Sequence, residues 1–280
     1  MGLPRINLTR KQAGAIAALV VALFTGALYN TQGDDNKNSS RNTSATNAPQ
    51  NRDKHVALLR GNKQRHRKKA RRERNVAGDF DYYALVLSWS PTYCATPKRK
   101  RPDRQCDSKQ GRGYSFVLHG LWPQYKRGFP ETCWTREKPF VHHRTIDKML
   151  DIMPSPGLVI HEFKRHGTCS GLSPDNYYAL SRKLYNTIKI PARYNRPKQQ
   201  QMVSPSDLKE EFIAINPGLT SDMIAISCRG SGHRLREVRI CFSRNGTLLP
   251  CGRNESQKRM CSAQKMFVPP VRLSSGRGWH

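Results

Sequence analysis

Hydrophobic residues along this 280-residue chain fall into short runs separated by polar and basic stretches. FDYYALVLSW (80–89) is apolar and aromatic, has the length of a strand, and stops at Ser90-Pro91, so it predicts the strand that opens the fold. YSFVLHGLW (114–122) and GLVIHEF (157–163) are two further short apolar runs, and each delivers a histidine. TIDKMLDIM (145–153) has helical spacing. So does SPDNYYALSRKLYNTI (173–188), with Ser173 as cap and Pro174 in the first turn, and so does SPSDLKEEFIAIN (204–216), with Ser206 and Lys209 to Glu211 near its start. EVRICFSRNGTLLPC (237–251) predicts a strand, an Asn-Gly turn and a second strand. Strands and helices in mixed order predict an α+β fold, an antiparallel sheet with flanking helices. There is no internal repeat.

The first 78 residues do not follow this pattern. Arg5, Arg10 and Lys11 precede an apolar run from Ala13 to Tyr29, and the next charges are Asp34 and Asp35, which directs the C-terminal side outward. Residues 1–29 therefore predict a signal peptide or a signal anchor. The only cleavage-like triplet, Thr25-Gly26-Ala27, is a poor one, so a cleaved and a retained segment both stay open. Residues 30–78 are polar, then strongly basic (RGNKQRHRKKARRER, 60–74), with too few apolar residues to offset chain entropy, and predict a disordered linker. His55 and His66 belong to its charge. Residues 79–280 are left for a single folded domain with one sizeable core.

Charge and cysteines narrow the class. The formal net charge is +29, and 33 of the 49 Lys and Arg residues lie in 79–280 against 16 acidic residues, so the folded part is itself cationic. Such a bias points to polyanions, either nucleic acid or an anionic membrane surface met through the basic linker. All eight cysteines follow Asp79 and none forms a CxxC pair, which argues against a zinc knuckle or a thioredoxin-type site and for disulfides. Bridges persist in oxidising compartments, so an exported protein, periplasmic or secreted, is expected. Spacing alone leaves roughly a hundred pairings open.

Two stretches carry chemistry. HEFKRHGTC (161–169) crowds two histidines, a carboxylate and two cations together. The zinc-protease pattern places histidines four apart; here they are five apart, which on a helix separates the rings by ~140° instead of ~40°, so one metal is disfavoured. HGLWPQ (119–124) sets a histidine at the end of an apolar strand, beside a glycine that permits close approach and a tryptophan held by proline. Cutting RNA without metal needs a base for the ribose 2′-hydroxyl, an acid for the departing 5′-oxygen, and cations around phosphorus. Histidine suits both roles because its ordinary pKa of about 6.5 lets one ring be neutral while another is charged. A flat ring such as Trp122 or Tyr125 can hold a base by stacking, worth roughly 1–3 kcal/mol.

Taken together, HGLWPQ and HEFKRHGTC resemble the paired active-site segments of the ribonuclease T2 family, metal-independent endoribonucleases, and FDYYALVLSWSPTYC resembles that family's first strand. The resemblance spans about residues 79–261. It implies cleavage of single-stranded RNA through a 2′,3′-cyclic phosphate to 3′-phosphate ends, with low base specificity and no cofactor or metal. It makes His166 the base and His119 the acid, places phosphate on His161, and gives Glu162 and Arg165 the stabilisation of the pentacovalent species. Trp122, Gln124, Tyr125 and Lys164 become substrate-binding candidates. A monomer with no obligate protein partner is expected. The resemblance also implies the disulfides Cys133–Cys169, Cys94–Cys106, Cys228–Cys261 and Cys241–Cys251.

Two positions depart from the family's usual pattern: Phe163 replaces a tryptophan and Arg165 a lysine; Gln124 stands where an acidic or amide residue often follows the proline, which leaves base preference open. Lys164 is the alternative cation, with Arg165 preferred. His142 and His143 read as surface residues at a helix start, and His233 and His280 have no supporting neighbours. Asn42, Asn245 and Asn254 match the glycosylation pattern. Rival readings are a non-catalytic RNA-binding protein of the same fold and a secreted metallohydrolase; RNA digestion in excess EDTA separates the second.

The basic tract generates the first prediction. If it captures RNA without entering the chemistry, residues 30–280 bind long RNA more tightly at low salt than residues 79–280, with about 0.7 added to the salt slope per phosphate contact. Dinucleotide turnover is equal for the two forms. Equal slopes on long RNA would make the tract a spacer or a membrane-surface contact.

Overall fold

The computed structural model describes residues 75–95, 104–106, 113–230 and 232–272. The N-terminal apolar run, the basic tract, His55, His66, Asn42 and His280 lie outside the described residues. Among the described residues no helix is long and apolar enough to cross a membrane.

The run predicted to open the fold forms β1 (Tyr82–Trp89), followed by a short helix α1 (Ser90–Cys94) that begins at the predicted Ser90-Pro91 stop. β2 (Phe116–Gln124) carries HGLWPQ. Helices α2 (His143–Met149), α3 (Pro156–Arg165) and α4 (Pro174–Thr187) follow, then β3 (Gln201–Val203), α5 (Pro205–Ile215), β4 (Ile224–Arg229), β5 (Arg234–Phe242), α6 (Gln257–Met260) and β6 (Met266–Val268). β1 lies between β2 and β5, and β4 flanks β5 on its other side, all antiparallel. β6 joins β5 by a single parallel bridge and pairs antiparallel with β3, so the sheet is antiparallel apart from that contact.

β1 sorts its side chains by size. Tyr83, Leu85, Leu87 and Trp89 alternate with Ala84, Val86 and Ser88, and the large set lies in the core with Leu118 and Leu121 of β2 and Val159, Phe163 and Tyr177 of the helices. Each fully buried aliphatic or phenyl side chain contributes about 1.5–3 kcal/mol. The small set shares a face with its cross-strand partners Gly120 and Trp122 on β2 and Glu237 and Arg239 on β5. The middle strand therefore leaves room above it for long side chains from both neighbours.

Local sequence explains the helices. Ser155 caps α3 by accepting from the Leu158 amide, Pro156 occupies its first turn, and Val159, Glu162 and Phe163 form its buried face. GLVIHEF is thus helical, with His161 on the helix and His166 at its C-cap. Ser173 caps α4 as predicted. α5 is capped by Ser204 in a capping box with Asp207, Pro205 takes the first helical position, and Ser206 lies in the first turn as expected. TIDKMLDIM is helical only to Met149. The strand predicted after the Asn-Gly turn does not form. Ser243 and Thr247 close the turn, Gly246 takes a positive φ of 83°, and only an isolated bridge joins Phe242 to Leu248.

Four disulfides pair Cys94 with Cys106, Cys133 with Cys169, Cys228 with Cys261 and Cys241 with Cys251. Cys133–Cys169 fastens the loop after β2 to the short 3₁₀ turn after α3 (Gly167–Ser170). The chain also enters here: Asn75 donates to the Glu131 carbonyl at 2.7 Å, and the Gly78 amide to that of Cys169 at 2.9 Å. A truncation that spares these contacts starts at Asn75.

Cys133→Ser is expected to lower the midpoint of thermal unfolding by the equivalent of about 2–4 kcal/mol and to reduce turnover, because the bridge joins two segments that meet at the cleft described below. Melting and turnover both at the wild-type level would show that the bridge is dispensable.

Candidate active site

One cleft of about 460 Å³ is lined by His119, Trp122, Gln124, Phe129, His161, Glu162, Arg165, His166, Arg239, Asn254 and Arg259. β2 delivers the first residues through a break in its register. Val86 of β1 pairs with Gly120, but Leu87 pairs with Leu118, so His119 is the extra residue of a β-bulge. The bulge lets Leu118 and Leu121 both reach the core although they are three apart, and sends His119 into the cleft. Tyr177 secures the strand nearby by donating its hydroxyl to the Leu121 carbonyl at 2.8 Å.

α3 delivers the second set. Glu162 and His166 are four residues apart on the face that also carries Val159 and Phe163, and both are buried, at 2% and 5% exposure. His161 and Arg165 line the cleft from the exposed flank. The helix end is fixed from outside: the Thr132 amide donates to the Arg165 carbonyl at 2.7 Å, and Glu131 pairs with the Arg165 guanidinium at 2.6 Å.

Trp122 ties the two sets together. Its indole N–H donates to Glu162 Oε2 at 2.7 Å, its ring stacks on His166 at 4.8 Å, His119 meets it edge-on at 5.1 Å, and the Arg239 guanidinium lies over it at 4.7 Å. Gly120 is required for this. A Cβ there would fall inside van der Waals contact with Glu162 Oε2 and Trp122 Nε1.

The histidines sit in opposite electrostatic surroundings. Burial favours a neutral His119, but its hydrogen bond to Glu237 and the charges of Glu162 and Glu237 outweigh burial and Arg239, holding its pKa above the ordinary value. Burial pushes His166 down to about 3, helped by the positive charges of Arg165, His119, His161 and Arg239. Nδ1 of His166 has no hydrogen-bond partner among the described residues. Burial also lowers His161, with Arg165 and His119 adding to it. Glu162 is raised by burial, against the pull of His119 and the Trp122 hydrogen bond. The surroundings thus favour the protonated form at His119 and the neutral form at His166, an arrangement suited to giving and taking protons around a phosphate.

Of the residues singled out from sequence, His119, Trp122, Gln124, His161, Glu162, Arg165 and His166 come together in the cleft. Tyr125 does not line it but packs against the core, and Lys164 is exposed outside it, so of the two neighbouring cations Arg165 is the one that faces the cleft. Gln124 is buried, its Oε1 accepting from Asn254 Nδ2 at 3.0 Å. The same Asn254 amide donates to the carbonyls of Tyr125 and Gly128, which makes this side chain a brace in the cleft wall. His142 and His143 are exposed at the start of α2, and His233 lies in the β4–β5 turn. Sequence reasoning missed Phe129, Glu237, Arg239, Asn254 and Arg259. For Glu237 and Arg239 a signal existed: opposite charges two residues apart in a strand, which places them on the same face.

Among the described residues no three His, Cys, Asp or Glu side chains are grouped as metal ligands. A family model for the ribonuclease T2 family matches residues 80–251. A ribonuclease of Aeromonas hydrophila is 36% identical over 191 residues, covering 65% of this chain and 81% of its own length. A probable ribonuclease of Haemophilus influenzae is 28% identical over 187 residues, 63% of each chain. Among solved structures, RNase NT in complex with 5′-AMP aligns with a TM-score of 0.51 at 24% identity, over 69% of this chain and 99% of that one. An RNase-related protein from Calystegia sepium aligns at 0.52 and 18%, over 69% and 98%. The chain belongs to the ribonuclease T2 family and is an endoribonuclease.

The contact at Gly120 gives a direct test. Gly120→Ala is expected to cut RNA cleavage by at least ~100-fold, the scale of acid–base catalysis, because the new methyl group must displace the Trp122–Glu162 pair. Turnover assays beside a crystal structure of the variant check this, and near-normal turnover would show that the pair is not needed.

Proposed function

We propose that the enzyme cleaves single-stranded RNA by attack of the ribose 2′-hydroxyl on the adjacent phosphorus, giving a 2′,3′-cyclic phosphate that water then opens more slowly to a 3′-phosphate. The observation that carries this reading is the unlike setting of the two imidazoles: half-buried His119 lies 3.6 Å from Glu162 and 3.2 Å from Glu237, whereas His166 is buried against Trp122 with burial and nearby cations pulling its pKa down. In the first step neutral His166 takes the 2′-hydroxyl proton as the bond from O2′ to phosphorus forms. His119 gives its proton to the 5′-oxygen as the bond from phosphorus to O5′ breaks. In the second step the roles reverse, with His119 accepting a proton from water and His166 returning one to O2′. His161 and Arg165 face the phosphate, and Glu162 orients the Trp122–His119 edge against the crowded phosphorus.

Low base specificity fits the cleft wall. The His166 ring and the Arg239 guanidinium already lie against Trp122, whereas Phe129 is 49% exposed and open to a base. Stacking is sequence-tolerant because every base has a π-face. Gln124 spends its carbonyl on Asn254, which removes one group that would otherwise read a base edge. The four disulfides support an exported enzyme acting in an oxidising compartment, periplasmic or secreted.

His166 must be neutral and His119 charged, so activity falls on the acid side as His166 gains a proton and on the alkaline side as His119 loses one. Because His166 is held near 3 and His119 above its ordinary value, kcat/KM is expected to trace a broad bell that extends to mildly acid pH. His119→Ala and His166→Ala each remove at least ~100-fold of rate. An RNA with a single 2′-deoxy residue on the 5′ side of a cut bond resists at that bond alone, read by mapping fragment ends. Cleavage there would mean that water attacks directly and would sink the mechanism, and loss of activity in excess EDTA would favour a metallohydrolase.

A further inference from the structure

His119 reaches across a strand to a second carboxylate. Its Nδ1 lies 3.2 Å from Oε1 of Glu237 on β5, while β1 runs between β2 and β5. The reach is open because Ser88 stands opposite Glu237 and Val86 opposite both Gly120 and Arg239, so only small side chains intervene. Glu237 is 6% exposed, and its two oxygens are divided. Oε1 faces His119, and Oε2 receives two nitrogens of Arg239 at 2.9 and 3.2 Å. Arg239 is held in turn by Glu255 at 3.4 Å, itself bonded by the Tyr82 hydroxyl, and by the face of Trp122.

An ionised carboxylate only accepts hydrogen bonds, so the contact assigns the proton on Nδ1 to His119 in both of its charge states. Nε2 is then the nitrogen that exchanges a proton with substrate, and the neutral ring left after the first step is already the tautomer needed to accept one in the second. We propose that Glu237 is a positioning residue for His119 in RNA cleavage, holding the Nδ1 proton so that Nε2 serves the phosphate, with Arg239 fixing the carboxylate in that orientation. This deepens the acid–base reading above and rests on it.

The charges around the ring agree with the geometry. From α3, Glu162, His161, Arg165 and His166 surround His119; from β5, Glu237 and Arg239 do. Burial alone would raise Glu237, but the His119 hydrogen bond and Arg239 hold it at about 2, so it stays ionised throughout the working range. Glu162, by contrast, is lifted by burial. Glu237 is therefore the partner whose charge His119 meets at every pH where the enzyme acts.

The test compares Glu237→Gln with wild type, following the His119 ring by NMR titration without RNA and the pH profile of kcat/KM with RNA. Glutamine keeps an acceptor for Nδ1 but removes the charge. The His119 midpoint is expected to fall toward lower pH, the alkaline limb to move with it, and kcat/KM at neutral pH to drop by about tenfold or more, one pKa unit being tenfold in the charged fraction. Glu237→Asp, which retains the charge one methylene further back, restores part of the midpoint and of the rate, and supplies the comparison if the glutamine variant does not fold. An unmoved His119 midpoint in a folded variant overturns the proposal even when cleavage is altered, since a merely structural carboxylate would leave that midpoint in place. Cleavage that survives His119→Ala instead overturns the reading of the site, whatever the midpoint does.

Discussion

The hydrogen bond from the Trp122 indole to the buried carboxylate of Glu162 is the contact around which the site is built. A carboxylate taken out of water loses several kcal/mol of hydration, and one hydrogen bond to a charged group returns only about 1.5–3 kcal/mol. The balance comes from His119, whose Nε2 lies 3.6 Å from the other Glu162 oxygen. The two groups therefore depend on each other's charge. Everything that brings them together follows from this: the bulge that turns His119 into the cleft, the missing side chain at Gly120, and the buried face of α3 that carries Glu162 beside Val159 and Phe163.

Around that pair the cleft divides by sign. Carboxylates flank His119 on both ring nitrogens, whereas His166 is buried against Trp122 with Arg165 and Arg239 near it. Two rings that both touch Trp122 are thereby pushed toward opposite protonation states. Arg239 serves both halves, pairing with Glu237 on one side and lying over Trp122 on another. Arg165 is less free than an exposed cation would be, since Glu131 takes part of its planar fork. A phosphate bound there would meet only its remaining nitrogens, a directional demand that a lysine ammonium would not impose.

The segments that meet in the cleft are far apart in sequence, and covalent and backbone contacts keep them in register. Cys133–Cys169 and the Thr132–Arg165 hydrogen bond pin the loop after β2 to the end of α3, and Asn254 braces the turn at Gly128 from near the C-terminus. The entering chain adds its own contacts at Asn75 and Gly78 on the same loop and turn. The folded part that carries this cleft is itself cationic, a charge that favours approach of a polyanion such as RNA.

Much of this was legible in the chain itself, because it resides in short, local patterns. The alternation of large and small residues in FDYYALVLSW, the serine-proline helix starts at 173–174 and the crowding of His161, Glu162, Arg165 and His166 are properties of neighbouring residues, and they settled the fold class and most of the cleft. Periodicity did not separate helix from strand for GLVIHEF, since a short apolar run suits either and only its cap and its burial against β2 decide. Nor could it place Tyr125 and Lys164 outside the cleft, or Glu237, Arg239 and Asn254 inside it. Those positions depend on a one-residue bulge and on which strands become neighbours, and a single residue of register reverses every side chain that follows. The sequence supplied the chemical groups; the pairing of β1 with both β2 and β5 decided which of them share a charge.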